Sequence, residues 1–275
     1  MDNHEMENSK HLIPNTFYTS VPNLSKIHPK LVDNWNFLKQ NNPGWMHLVF
    51  DSDSRRDFIR TAYPIEILRT YESIHPSYGA ARADYFRYLL LYANGGVWLD
   101  AKSTVIKPMA EILQSTDEFL LSQLSIDTTS EANKLFWGPR SLIPTREYIS
   151  WFIAVKPGHL FLEKVIEDVT QNLNSYHSIL HGVGGMGVLG TTGPLAYTRS
   201  IFPNLCQANY REIDIEKEGI IYTIFEGTFD HNAVIGSNYR KNLRPLVERG
   251  VLINCEIIFT WIVIFTKKVF CRLVK

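Results

Sequence analysis

The chain has 275 residues, 28 basic and 28 acidic side chains, 45% hydrophobic and 20% charged residues. That composition excludes a disordered or collagen-like chain, and the length suffices for one large domain or two small ones. Zero net charge argues against a nucleic-acid binder, whose affinity comes largely from neutralising phosphates. Three cysteines (Cys206, Cys255, Cys271), with no CxxC pair, fit a reducing compartment rather than a disulfide framework or thiolate zinc site.

Residues 1–11 are polar and mixed in charge, neither a secretory signal nor a membrane anchor. A strand is predicted over IPNTFYTSV, where Ile13, Phe17 and Val21 are apolar. Leu24, Ile27, Leu31, Trp35 and Leu38 recur at helical spacing, and Asn41-Asn42-Pro43-Gly44 closes that helix. Trp45–Phe50 reads as a second strand, followed by a short helix through Arg60 capped by Asp53 or Ser54. Residues 79–94 read as a long helix closed by Asn94-Gly95-Gly96, since glycine past a helix end tolerates the left-handed backbone. Its apolar residues Ala83, Phe86, Leu90 and Ala93 are expected to dock on a sheet. Val97–Leu99 is then a short buried strand with Asp100 at its carboxyl end. Phe119–Gln123 and Ile149–Val155 read as further strands, and Leu162, Val165, Ile166, Val169 and Leu173 as one face of a helix. Strands alternating with helices predict an α/β fold with a mixed central sheet flanked by helices.

Residues 251–266, VLINCEIIFTWIVIFT, are interrupted by Asn254 and Glu256 and fall short of the ~20 residues that span a bilayer. Lys267, Lys268, Arg272 and Lys275 follow. A buried terminal element and an interfacial segment against anionic lipid both remain open, with a true span the weaker third. The expected organisation is a tail over 1–11, one domain over 12–250 and an apolar, basic segment over 251–275.

Ligands of open α/β sheets bind beyond the carboxyl ends of strands, where Asp100 falls. Asp84, Arg87 and Tyr88 lie at i, i+3 and i+4 and share a helical face. Alone they could be a simple intrahelical ion pair, worth a few tenths of a kcal/mol. The full run from Ala81 to Asp100, ARADYFRYLLLYANGGVWLD, carries more. It resembles glycosyltransferase family 32, the DXD-motif sugar transferases that include capsular polysaccharide synthesis proteins and initiating mannosyltransferases. The family pattern is R-A-D-x-x-R-Y-x-x-L-x-x-x-G-G-x-Y-x-D-x-D, and Trp98 stands in its Tyr place. Weaker likeness covers Ile13-Pro14, Asn42–Trp45, Phe50–Asp53, Ala154–His159 and Thr192-Gly193-Pro194, so that it spans roughly residues 12–245.

The resemblance implies a GT-A-type fold that takes a nucleotide-sugar donor, a UDP- or GDP-hexose. It implies hexose transfer, with retention, to a hydroxyl of a glycan or lipid-linked acceptor. Asp84 and Arg87 would hold donor hydroxyls, with Arg82 and Tyr88 beside them, and Asp100 would contact the ribose and the metal's shell. Tyr18 and Thr19, at the end of the first strand, would lie near the nucleotide. A buried strand tyrosine is the equal alternative for Tyr18.

Two departures matter. The second DXD carboxylate is replaced in Asp100-Ala101-Lys102, and an ammonium cannot ligate Mn²⁺ or Mg²⁺. Lys102 standing in for metal charge, a metal held by Asp100 with a late residue such as His231, and a non-catalytic nucleotide-sugar-binding subunit all stay open. A literal DXD at Asp51-Ser52-Asp53 sits where an N-cap is needed and reads as a decoy. Among later residues, His231 and Ser237 resemble the family's phosphate- or metal-side segment. Gly182–Gly187 spells GxGxxG, but Pro194 and further glycines argue against a following helix, so a loop at the acceptor side is expected, with Gly185 and Thr192 near the acceptor or phosphate. No Gly-x-Ser-x-Gly elbow is present. The reading is a cytoplasmic transferase of surface polysaccharide synthesis, peripheral to the inner face of the cell membrane.

Overall fold

A computed structural model describes residues 11–125, 146–225 and 239–248. The sequence segment 251–275, His231 and Ser237 lie outside these described residues. Strand β1 (Thr16–Ser20) pairs in parallel with β2 (Met46–Phe50) on one side and β3 (Gly96–Leu99) on the other. β7 (Phe152–Val155) runs antiparallel to β3, and β5 (Phe119–Ser125) antiparallel to β7. β6 (Arg146–Tyr148) and β8 (Arg211–Ile213) flank β5, giving a seven-stranded mixed sheet. β4 (Thr104–Val105) and β9 (Ile220–Ile221) form a separate antiparallel pair. The expected mixed sheet flanked by helices is what is seen.

Helix α1 (Pro29–Asn41) starts later than the Leu24 periodicity suggests. Pro29, which needs no N–H partner in the first turn, sets the start, and His28 caps it by accepting from the Lys30 amide. Helix α2 (Ser52–Ala62) is capped by Asp51 rather than by Asp53 or Ser54. Asp51 accepts from the Ser54 amide at 3.0 Å while Ser54 Oγ accepts from the Asp51 amide at 2.8 Å, a reciprocal capping box. The decoy reading of Asp51-Ser52-Asp53 therefore has a structural cause. Helix α3 (Ile65–Ser73) follows.

Helix α4 (Gly79–Asn94) has the predicted limits. Gly95 and Gly96 take φ of +64° and +101°. A Cβ on Gly96 would meet the Thr16 carbonyl and the Tyr18 ring at 2.8 Å, so glycine is what lets β3 lie against β1. The helix is not docked by one stripe. Ala93 is exposed and Ala83 half-buried, whereas Tyr85, Phe86, Tyr88, Leu89, Leu90 and Leu91 are all buried, because α2, α3, the sheet and α6 (Leu160–Asn174) surround it. One core cluster gathers around α4 and α6, and a second fills the other face of the sheet with Leu38, Val105, Met109 and Ile112, the last two from α5 (Met109–Ile112).

The expected strand 149–155 is broken. β6 ends at Tyr148 and β7 begins at Phe152, with Ile149–Trp151 bent between them. The GxGxxG stretch is not a loop. Gly182 and Val183 join α7 (Ser178–His181) to α8 (Gly184–Thr191), Gly184–Gly187 form the start of α8, and Pro194 opens α9 (Pro194–Ile201) at a position where proline is favoured. Its glycines serve close packing. A Cβ on Gly187 would lie 2.6 Å from the Gly182 carbonyl, and one on Gly184 2.6 Å from the Arg240 carbonyl.

Candidate active site

A cavity of about 1530 Å³ opens at the carboxyl ends of β1, β2 and β3. Single small-ligand pockets span roughly 300–1,000 Å³, and this one is larger. Ser20 to Pro22 follow β1, Ser52 follows β2, and Asp100 to Lys102 follow β3. The N-terminal half of α4 forms one wall and the Tyr239–Asn242 segment another.

At its base Arg87 ties three chain segments together. Its guanidinium donates to Asp84, one helical turn earlier, and to the Ser150 carbonyl in the break between β6 and β7. Asp100 Oδ1 lies 3.4 Å from Arg87 Nη1. Trp98 donates from its indole to the same Asp100 oxygen at 3.1 Å, and Arg87 sits 5.3 Å over the Trp98 ring. Thr192 closes the arrangement by donating from Oγ1 to Asp84 Oδ2 at 3.2 Å. Thr192 is held in turn by Tyr88, whose hydroxyl donates to its carbonyl at 3.0 Å while the Tyr88 ring stacks on Tyr197.

Electrostatics follow from enclosure. Burial raises the Asp84 carboxyl to about 6, with Asp100 pushing the same way and Arg87 and Thr192 resisting. Burial opposes charge on Arg87, but Asp100 and Asp84 outweigh it and hold the guanidinium above its ordinary range. The pair is no surface ion bridge: both partners are desolvated, so removing either leaves a buried charge uncompensated.

Lys102 is also buried, and burial lowers its pKa while Asp100 supports its charge. Its ammonium donates to the Tyr222 hydroxyl at 2.7 Å. Arg240 and Lys241 line the cavity as well. As a divalent-cation site the described residues do not fit. They offer Asp100 as a carboxylate already engaged by Trp98 and Arg87, with an ammonium in the second DXD place. No group of three or more His, Cys, Asp or Glu side chains suited to a metal occurs among the described residues.

Asp84, Arg87, Asp100 and Lys102 are thus brought together on one cavity. Arg82 lines it too, though its Nε and Nη2 are spent on the Ile74 carbonyl at 2.9 and 2.6 Å. Other expectations need correction. Tyr18 is buried against Phe50 in the core, and Thr19 is buried too, because their strand lies inside the sheet; Ser20 and Val21 reach the cavity instead. Tyr88 and Thr192 are fully enclosed and act as supports rather than ligand contacts. Gly185 faces the Arg240 side chain rather than the cavity. Sequence reasoning missed Ser150, whose carbonyl holds Arg87; Trp98 did occupy a motif position, but only as a substitute for tyrosine. It also missed Arg55, buried beside the cavity with Nη1 donating to Ser20 Oγ at 2.9 Å, and Glu147.

Residues 29–119 match the family described as glycosyltransferase sugar-binding region containing DXD motif. That third of the chain is similar to a DXD-type glycosyltransferase sugar-binding region. It is 28% identical over 174 residues to HOC1 of Saccharomyces cerevisiae, named as an inferred glycosyltransferase, which covers 60% of this chain and 42% of that one. It is 25% identical over 179 residues to the initiation-specific alpha-1,6-mannosyltransferase of Candida albicans, covering 60% and 45%. The chain spans less than half the length of these relatives. Among solved structures, the PaToxG glycosyltransferase superposes with a TM-score of 0.50 at 12% identity, covering 70% of each chain, which supports the α/β fold consistent with the GT-A type.

Proposed function

We propose that this protein transfers a hexose from a nucleotide-sugar donor to a hydroxyl of a glycan or lipid-linked acceptor. The observation that carries the reading is the Asp84–Arg87–Asp100 cluster, buried at the base of a cavity at the carboxyl edge of the parallel strands. Asp84 accepts from sugar hydroxyls, and Arg87 fixes Asp84 and Asp100 relative to each other. Asp100 meets the ribose. Negative charge develops on the departing nucleoside diphosphate, and prepositioned cations stabilise it. Lys102, Arg240 and Lys241 supply such cations on the cavity wall. The sugar nucleotides UDP-hexose and GDP-hexose are the donor classes to test. Among the described residues no helix is long and apolar enough to cross a membrane; contact of residues 251–275 with the inner membrane surface is part of the proposal.

A second reading, nucleotide-sugar binding without transfer, has its support in the loss of the second DXD carboxylate. One experiment separates them. Thermal stability is measured against UDP-, GDP-, CMP- and dTDP-sugars, each with Mn²⁺ and with EDTA, since a ligand bound only by the folded state raises stability with occupancy. Stabilisation by one nucleotide class together with release of free nucleoside diphosphate supports transfer. Stabilisation without release of nucleotide from the donor, whichever acceptor is supplied, supports binding alone, and no stabilisation refutes both.

A further inference from the structure

Among the described residues four carboxylates line the cavity: Asp84, Asp100, Glu147 and Glu216. Arg87 engages the first two, and Glu216 is exposed. Glu147 is half-buried, and no hydrogen bond or ion pair joins its side chain to another described residue. It lies on β6, where alternation sends neighbouring side chains to opposite faces. Tyr148 turns into the core, with its amide donating to Thr198 of α9 at 2.9 Å, so Glu147 turns to the cavity. Ser150, whose carbonyl holds Arg87, is three residues further on. An extended chain rises about 3.3 Å per residue, which keeps Glu147 within about 10 Å of that anchor.

Val188, Leu189 and Pro194 line the same cavity, and Glu147 is partly desolvated there. Burial raises it to about 7, and no charged group among the described residues contributes. Desolvating a carboxylate without a partner costs free energy. Such groups concentrate where a ligand completes the hydrogen bonding.

We propose that Glu147 receives the acceptor, its carboxylate accepting the hydrogen bond of the attacking hydroxyl and taking that proton during transfer. This rests on the glycosyl-transfer reading. The acceptor oxygen forms the bond to the anomeric carbon. The bond from that carbon to the phosphate oxygen breaks, and its electron pair leaves on the nucleoside diphosphate. The acceptor proton ends on Glu147. Asp84 and Asp100 do not take this role, because Arg87 already occupies one oxygen of each.

The test compares the full chain with its Glu147→Gln and Glu147→Asp variants. The probes are UDP-glucose and GDP-mannose as donors, and methyl α-mannoside or water as acceptor. Donor-induced thermal stabilisation is expected to survive in Glu147→Gln, while transfer falls 100- to 10,000-fold, the range for losing a positioned general base. Glu147→Asp, which keeps a shorter carboxylate, is expected to lose less. The wild-type limb in kcat/KM near pH 7 should be absent from Glu147→Gln. Transfer within threefold of wild type in Glu147→Gln would overturn the inference while leaving the transferase reading intact, and so would equal loss of donor binding in a variant that melts normally. A wild-type chain that neither binds nor turns over either donor would overturn both.

Discussion

The enclosed Asp84 carboxyl makes the sharpest prediction, because its effects on activity and on stability run in opposite directions with pH. Burial raises it to about 6 in the folded chain, above its ordinary 3.8. To accept from donor hydroxyls and from Arg87 it must be ionised. With that value it is about 90% ionised at pH 7 and about 10% at pH 5, so kcat/KM should fall about tenfold between them from this group alone. Stability responds the other way. Between about pH 4 and 6 the folded state holds a proton that the unfolded state has lost, so this group's contribution to stability declines as pH rises through the window. Loss of activity at pH 5 without loss of folding would therefore distinguish site protonation from acid denaturation. The perturbation is Asp84→Asn, which keeps the shape and removes the charge. Losing a hydrogen bond to a charged acceptor costs about 1.5–3 kcal/mol, equivalent to roughly 10- to 150-fold in rate. The variant should be that much slower at pH 7 and should lack this acid limb. The assay is kcat/KM from pH 4.5 to 8, paired with thermal melts in the same buffers. An Asp84→Asn variant of full activity, or one that keeps the limb near pH 6, would refute the assignment.

Three further outcomes follow from named contacts. Thr192→Val removes the hydroxyl that donates to Asp84 but leaves the Tyr88 bond to the Thr192 carbonyl; the acid limb should move to higher pH, read from the same profile. Asp51→Ala removes the reciprocal cap of α2 and should cost about 1 kcal/mol in a denaturant melt, with kcat unchanged; a large loss of activity would show the literal DXD to be functional after all. Lys102→Ala should lower transfer at least tenfold, and Lys102→Asp should create a response to Mn²⁺, seen both as thermal stabilisation and as recovered activity; indifference of both variants to the metal would remove Lys102 from the diphosphate site.

The parts of this site legible in the sequence are local ones. A helix over 79–94, two glycines at positive φ and a four-residue strand are set by short-range preferences, which put Asp84 and Arg87 on one helical face and Asp100 at a strand's carboxyl end; it was the family resemblance that joined them in one site. What completes each group comes from far along the chain. The Ser150 carbonyl is 63 residues from Arg87, Thr192 is 108 residues from Asp84, and Tyr222 is 120 residues from Lys102. No spacing rule reaches that distance. The glycines after Gly182 were misread for a related reason. Propensity argues against helix there, but close approach to Gly182 and to the Tyr239–Asn242 segment decides the backbone, and tertiary packing overrides a penalty of about 1 kcal/mol per glycine. For Tyr18 two readings stood side by side, a contact to the nucleotide and a buried strand tyrosine, and the core claims its ring.

The substitution at Lys102 changes the cavity less than the loss of a motif carboxylate suggests. An intact DXD pair brings two negative charges, and a bound divalent cation cancels them. Asp100 and Lys102 also sum to zero, so the Asp-Ala-Lys sequence reproduces the net charge of a metal-loaded pair with protein atoms alone. Burial magnifies the significance of that balance, because charges interact more strongly away from water. Lys102 is buried and lies near Asp100, which supports its charge, while Tyr222 fixes its ammonium. A lysine left by mere decay of the motif would be expected to turn to solvent, where its charge is best hydrated. This one is held inside, at the desolvation cost that lowers its pKa. A cation kept in the cavity against that cost is the arrangement that stabilising a departing diphosphate requires, and it favours a transferase over an inert relic of one.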